Sequence, residues 1–245
     1  RASYDNVARS VDFDGDGNLL LMSVGQSLES GSISSRLPLN LLQVDADTLA
    51  LIAQWDITVP SANPFLLSSG VDALGFVYES ATDSVVAIGH FLGLGYIFRF
   101  SLASGTVTDS HAMSRLFANG FAIRGIVADG AGSYYIVGNT DESMSDDLAP
   151  EQVVLNEYHA FIRRYGTVLN SGPVWTRQVV GVGSRQRAAS VVLKPDGSGL
   201  YVGGSTDGDF TFEGFTVEHV GNSDVEDGLV MELTTDGQFV AMATI

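Results

Sequence analysis

Cysteine is absent from this sequence and lysine almost so, Lys194 standing alone beside eleven arginines. Without cysteine there is no disulfide scaffold, no thiolate nucleophile and no cysteine-ligated zinc or iron–sulfur centre. No apolar run approaches the roughly 20 residues that a membrane-spanning helix requires, so no membrane span is expected. Basic charge is short as well: 29 acidic residues face 12 basic ones, a formal net charge of -17. A phosphate backbone would be repelled by that balance, which removes nucleic acid from the partners. Helical periodicity is sustained nowhere. The best stretch, Ser145 to His159, contains Pro150 and reads as an acidic loop entering a strand. Also missing are a nucleophile elbow of the Gly-x-Ser-x-Gly type, a phosphate loop, a dinucleotide fingerprint and any Asn-x-Ser/Thr sequon. The sequence opens on Arg1 rather than Met and shows no signal segment, as expected if a leader has been removed or the chain is a piece of something longer.

What is present is 45% hydrophobic residues and 28 glycines in 245 positions, enough for one large all-β core. Asp outnumbers Glu twenty to nine. An Asp-rich, Lys-poor surface suits a saline or extracellular setting, and a GC-rich codon bias gives the same composition.

An internal repeat organises the chain. A short alternating strand begins at Ala8 and recurs from Ala73, Ile123 and Ala188, and in each copy a Ser or Gly precedes a β-branched or aromatic residue. Turn residues follow every time: Asp14 to Asn18, Ser80 to Asp83, Gly130 to Ser133 and Pro195 to Gly199. Second strands come next, three of them carrying Val or Ile beside a closing Gly, which predicts a close backbone approach near a central axis. Third strands are expected at Leu39–Val44, Tyr96–Phe100, His159–Arg163 and Gly228–Leu233, and fourth strands at Leu49–Val59, Thr106–His111, Val174–Val179 and Gln238–Thr244. The expected fold is therefore all-β, a β-propeller of four-stranded antiparallel blades. The blades cover about residues 4–70, 71–118, 119–183 and 184–245 of one domain.

Val174-Trp175-Thr176-Arg177, the stretch AASVVLKPDGSGLYVGGSTDGDF from Ala188 to Phe210, Asp227 to Leu233 and Asp236-Gly237 resemble the bacterial seven-bladed β-propeller (SBBP) repeat. The last two repeats carry the match; the first two follow it in outline and lack the Asp-Phe after the second strand. The family's third-strand Lys is Arg163 in the third repeat and Glu232 in the fourth. The resemblance implies a propeller in a secreted or cell-surface bacterial protein with a binding or structural role. It implies no catalytic residue, because the repeat is a core-packing pattern. Four units against the usual seven leave two arrangements, a four-bladed ring or part of a larger, about seven-bladed propeller. No strand is left over for a swapped closure of the ring, which points to a longer propeller or an assembly that supplies the rest.

Asp12-x-Asp14-x-Asp16-Gly17-Asn18 is the sharpest local motif. Alternate carboxylates before a Gly can present several oxygens to one Ca2+, and Asp12, Asp14 and Asp16 are the candidate ligands. The full calcium pattern needs further carboxylates where Leu20 and Ser23 stand, and a plain hairpin turn accounts for the same residues. No other cofactor is expected. The remaining acidic loops hold Asp141, Glu142, Asp146, Asp147, Asp207, Asp209 and Asp224 to Asp227; they would either attract a cation or basic partner or simply solvate long connections. Arg163, Arg164, Arg177, Arg185 and Arg187 would either bind an acidic glycan or neutralise those loops. His90, His111, His159 and His219 lie in unrelated contexts without metal-ligand spacing; His90 is the one placed to face a channel. Trp55, Trp175, Tyr134, Tyr135, Tyr201, Phe161 and Phe210 could stack on sugars, but strand alternation puts most of them between blades.

The expected function is a non-catalytic propeller module, extracellular, at the cell surface or periplasmic. It would bind another protein or a polysaccharide, or fill a place in a larger extracellular assembly. The alternative is a propeller enzyme (a quinoprotein dehydrogenase, lyase or glycosidase) with its site in the central funnel. Asp45-Ala46-Asp47-Thr48 and Ser101 to Gly105 resemble the quinoprotein repeat faintly, without the Trp expected to follow.

Overall fold

The computed structural model describes residues 4–27, 39–57, 72–91, 94–113, 122–140, 158–181, 185–220 and 225–245. Within them lie four sheets of four strands. The first holds β1 (Tyr4–Phe13), β2 (Leu19–Ser27), β3 (Leu39–Val44) and β4 (Leu51–Ile57); the second β5 (Asp72–Glu79), β6 (Ser84–Phe91), β7 (Leu94–Ser101) and β8 (Thr106–Ala112). The third holds β9 (Ala122–Ala128), β10 (Tyr134–Thr140), β11 (His159–Tyr165) and β12 (Pro173–Val179). The fourth holds β13 (Gln186–Leu193), β14 (Gly199–Thr206), β17 (Asp227–Thr234) and β18 (Phe239–Thr244), and the connection from β14 to β17 forms a separate hairpin, β15 (Phe210–Phe212) with β16 (Phe215–Val217). Every sheet is an antiparallel meander, the four-stranded blade expected from the repeats. Among the described residues no helix is long and apolar enough to cross a membrane.

The hairpin β15–β16 was not expected from the repeat pattern. Phe-Thr-Phe and Phe-Thr-Val alternate around Glu213 and Gly214, whose φ values of 47° and 86° are those of a two-residue hairpin turn. Phe210 and Val217 are buried, so the small hairpin is pinned by its apolar side.

The repeat is more regular in backbone than in side chains. Pairing of first and second strands skips one residue in every blade, at Arg9, Leu74, Arg124 and Ala189. Pairing of third and fourth strands skips Ile52, Thr108, Val174 and Val240. Each blade thus carries two β-bulges at matching places, and bulges increase the local twist of a sheet. Opposite the first bulge stands Ser23 in blade one and Gly89, Gly138 and Gly204 in the others. A Cβ on Gly138 would overlap the carbonyl oxygen of Ala122, and one on Gly204 that of Arg187. The close approach read from the closing glycines is real, but its partner is the bulged strand of the same blade.

The chain divides into two compact units, Arg1–Met113 with Leu169–Ser171, and Ser114–Val168 with Gly172–Ile245. In the first, blades one and two pack face to face: Leu20, Met22, Leu39 and Leu41 meet Phe76, Val85, Ala87, Phe98 and Phe100. In the second, Tyr135, Val137, Ala160 and Ile162 of blade three meet Val191, Leu200, Val202, Leu229 and Met231 of blade four. These residues alternate along their strands, which places them all on one face. Fully burying such a side chain contributes about 1.5–3 kcal/mol.

A Trp closes each seam. The Trp55 ring of β4 lies against Gly105 in the β7–β8 turn, and the Trp175 ring of β12 against Gly237 in the β17–β18 turn. Both glycines have positive φ, 66° and 80°, and a side chain at either would meet the indole. Trp175 Nε1 also donates to the Thr235 carbonyl at 3.2 Å, and Arg177 Nε to that of Gly237 at 2.9 Å.

Candidate functional site

In a meander the first-to-second and third-to-fourth turns share one end of the sheet. In the first unit the β1–β2, β5–β6 and β7–β8 turns frame a cleft of about 420 Å³, lined by Asp14, Asp16, Gln43, Trp55, Tyr78, Asp83, Leu102 and Ala103. The chemistry of its wall follows from what each side chain already does.

Asp14 caps its own turn. Oδ1 accepts the backbone N–H groups of Asp16 (2.9 Å) and Asn18 (2.8 Å), and Oδ2 accepts Asn18 Nδ2 (3.0 Å) and Gln43 Nε2 (2.6 Å). Burial pushes the Asp14 carboxyl up, but the hydrogen bonds from Gln43, Asn18 and Asp16 outweigh it and hold the group below the ordinary carboxylate value. In blade three Asp129 stands at the same place and accepts Ala131 N (2.8 Å) and Ser133 N (2.9 Å). The capping role therefore recurs where the other two carboxylates of the motif do not.

Asp12 is a fastener between blades. Its Oδ2 accepts the N–H of Tyr78 in β5 at 2.8 Å, and its Oδ1 that of Phe13 at 2.9 Å. Asp16 lies exposed on the turn, and among the described residues no donor reaches its carboxylate. The motif thus places three carboxylates in three different jobs. Among the described residues no group of three or more acidic or imidazole side chains is arranged to hold a metal ion.

Tyr78 joins the two hairpin turns. Its hydroxyl donates to Asp83 Oδ1 at 3.0 Å and receives the N–H of Gly15. Burial first, and the bond to Asp83 second, push the phenol above its ordinary value, so it stays a neutral donor and acceptor in the cleft. Asp83 holds a φ of 45°, a conformation in which Asp is among the better tolerated side chains. Trp55 is half-buried, edge-on to Phe100 with centroids 6.3 Å apart.

The other candidates are dispersed. Four arginines of the second unit pair with local acids: Arg185 with Asp207, Arg187 with Glu226, Arg177 with Glu213, and Arg164 with Asp236 and the Ser133 hydroxyl, whereas Arg163 is buried on β11 with its guanidinium over the Phe161 ring. For those four the pairing is that of neutralised loops. Asp209 accepts His219 N, and His219 Nε2 lies 2.7 Å from the Val225 carbonyl and 3.7 Å from Asp227, a latch within one loop. His111 and His159 sit on β8 and β11. The side chain of His90, and Asp141, Glu142, Asp146, Asp147 and Asp224, lie outside the described residues. Phe161 and Phe210 are buried, and so are Tyr134 and Tyr135, which as neighbours on β10 point to its opposite faces, whereas Tyr201 is exposed.

The cleft itself was not read from the sequence. Its members come from three turns and three strands of two repeats, and only Asp14 to Asp16 belong to a recognisable motif.

No known family profile and no curated protein matches the chain. Among solved structures it is similar to hydrazine synthase of Kuenenia stuttgartiensis, at 12% identity and a TM-score of 0.52, over 97% of this chain and 65% of that one. It is similar also to the propeller of Dos1, at 9% identity and a TM-score of 0.50, over 96% of this chain and 59% of that one. The chain thus spans about three-fifths of the length of these neighbours. At such identities the likeness speaks for the fold alone: a β-propeller of four-stranded blades.

Proposed function

We propose that the chain is a non-catalytic binding module that takes a neutral polysaccharide in the cleft of its first unit. The observation that carries this reading is the composition of the wall: Trp55 and Tyr78 stand beside the carboxylates of Asp16 and Asp83 in one polar cleft. Sugars present apolar C–H faces that pack on aromatic rings and hydroxyls that donate to carboxylates. A volume of about 420 Å³ falls within the range of roughly 300–1,000 Å³ typical of ligand sites. The net charge of -17 disfavours an acidic glycan and leaves neutral or amino-bearing chains.

An extracellular, cell-surface or periplasmic setting and membership of the SBBP repeat group belong to the same proposal. Supporting them are the Asp-rich, Lys-poor composition and the Trp175, Gly204 and Asp236-Gly237 positions of the last two repeats.

Calorimetric titration with neutral polysaccharides tests the reading. The double variant Asp16→Ala, Asp83→Asn is expected to bind about tenfold more weakly or worse, since hydrogen bonds to charged groups contribute about 1.5–3 kcal/mol, with its melting temperature unchanged. Equal affinity in the variant, or no binding by the native chain, would overturn it. Shortened sugars released during titration would transfer the site to the enzyme alternative.

Ca2+ at the β1–β2 turn is a second reading, favoured by the unengaged carboxylate of Asp16; Asp12 and Asp14 would have to release Tyr78, Asn18 and Gln43 to join it. Its expected signature is a melting temperature raised by calcium, with the rise lost in Asp16→Asn. A melt that calcium leaves unchanged dismisses it.

A further inference from the structure

Blades one and four each turn an apolar face to solvent, and the two faces correspond, position for position, to the blade pairs packed inside each unit. Counting from the first-strand bulge, Phe76 and Tyr78 of blade two are buried or half-buried on blade one, and Val191 and Leu193 take the same places in blade four against blade three. Val11 and Phe13 occupy these positions in blade one, yet each is 57% exposed. On the other side, Ser190, Val192 and Tyr201 of blade four hold the places of Ser10, Asp12 and Leu20 in blade one. In blade one those residues face blade two; in blade four Val192 is 55% and Tyr201 39% exposed.

We propose that these faces are the two halves of a head-to-tail interface between copies of this chain. Polar groups correspond as well: the Lys194–Glu232 ion pair beside Tyr201 stands where Asp14 and Gln43 pair in blade one. In the first unit Ser10 Oγ accepts the Phe76 N–H at 3.4 Å and Asp12 accepts that of Tyr78 at 2.8 Å. Ser190 brings a hydroxyl to the place of Ser10, opposite the Val11 amide that corresponds to Phe76. The Phe13 amide, which corresponds to Tyr78, is already satisfied by Asp12 Oδ1. No acceptor is needed opposite it, and blade four offers Val192 there. The occupant of each face is therefore carried by the other end of the same sequence, down to the one position where an acceptor has been dropped.

A head-to-tail contact either closes into a ring or runs on as a filament. Each copy carries -17, so association strengthens with ionic strength as like charges are screened.

The absence of cysteine makes the test free of background. Val11→Cys and Ser190→Cys, prepared as separate variants, are mixed and treated with a short bis-maleimide. A cross-linked species of twice the chain mass is expected from the mixture and much less of it from either variant alone. Sedimentation of the native chain at tens of micromolar should give twice the monomer mass or more, and Phe13→Asp, an exposed substitution, the monomer mass. A monomeric native chain with no mixed cross-link overturns the proposal. So does a double variant that cross-links only within itself, which would mean that the two faces meet inside one chain. The polysaccharide reading stands or falls separately, because the cleft residues lie on neither face.

Discussion

Gly204→Ala is expected to destabilise the second unit by roughly 3 kcal/mol, at the upper end of the penalty for overfilling a packed site, and to lower its melting temperature by about 10 °C. The added methyl would fall on the carbonyl oxygen of Arg187, across the bulge that Ala189 makes in the first strand. Both colliding groups are backbone or rigidly attached to it, so no rotamer change relieves the overlap. The strand pair must open or the bulge must slide, and sliding by one residue would turn Val191 and Leu193 away from the core. Gly138→Ala should act alike in blade three, where the methyl meets the Ala122 carbonyl and the Phe161 ring. Gly166→Ala is the control: its nearest neighbour would be Val174 Cγ2 at 3.7 Å, and a change within about 0.5 kcal/mol is expected. Thermal melts followed by circular dichroism measure all three. A Gly204→Ala protein melting with the native one would mean that the bulge is not rigid and that the repeat's regularity has another origin.

Alkaline titration should expose the second large effect. Tyr165 is fully buried in β11, and burial pushes its phenol up from the ordinary 10.0 to about 12, with Arg163 pulling it partly back. Below about pH 10 the phenol is neutral in folded and unfolded chains alike, and it adds no pH dependence. Above that the unfolded chain ionises while the folded one resists, so stability is lost as pH rises from about 10 through 12. A phenol raised that far contributes a loss of about 3 kcal/mol once the window has been crossed. Tyr135, raised mainly by burial, adds to the same trend. Denaturant melts across that window, with tyrosinate absorbance followed in parallel, should show unfolding and ionisation together. Tyr165→Phe should flatten the slope in proportion. A native chain equally stable at both ends of the window would place water against that hydroxyl.

The blades were legible because their signals are local. Alternation fixes a strand's buried face, and turn residues such as Asp14 to Asn18 fix where it reverses; third and fourth strands fell within two residues of their expected bounds. The Ser or Gly before each apolar pair was visible as a recurrence, but its cause, the bulge at Arg9, Leu74, Arg124 and Ala189, involves pairing that a single strand does not display. The small hairpin at Glu213-Gly214 escaped because a four-strand template absorbs its aromatics into a loop. The cleft was the least legible part. Tyr78, Asp83 and Trp55 each look like ordinary strand or turn residues, and only the packing of one repeat on the next brings them beside Asp14. The three aspartates gave the opposite difficulty: their spacing suggests one shared ligand, whereas alternation along β1 sends Asp12 to the neighbouring blade and the turn draws Asp14 inward.

The two tryptophans offer the experimenter something the repeat did not have to provide. Each indole sits at a different seam, Trp55 beside Gly105 and Trp175 beside Gly237, and there are no others in the sequence. Intrinsic fluorescence is therefore already partitioned, one emitter to each unit. Single-tryptophan variants would time the opening of either seam without any attached dye.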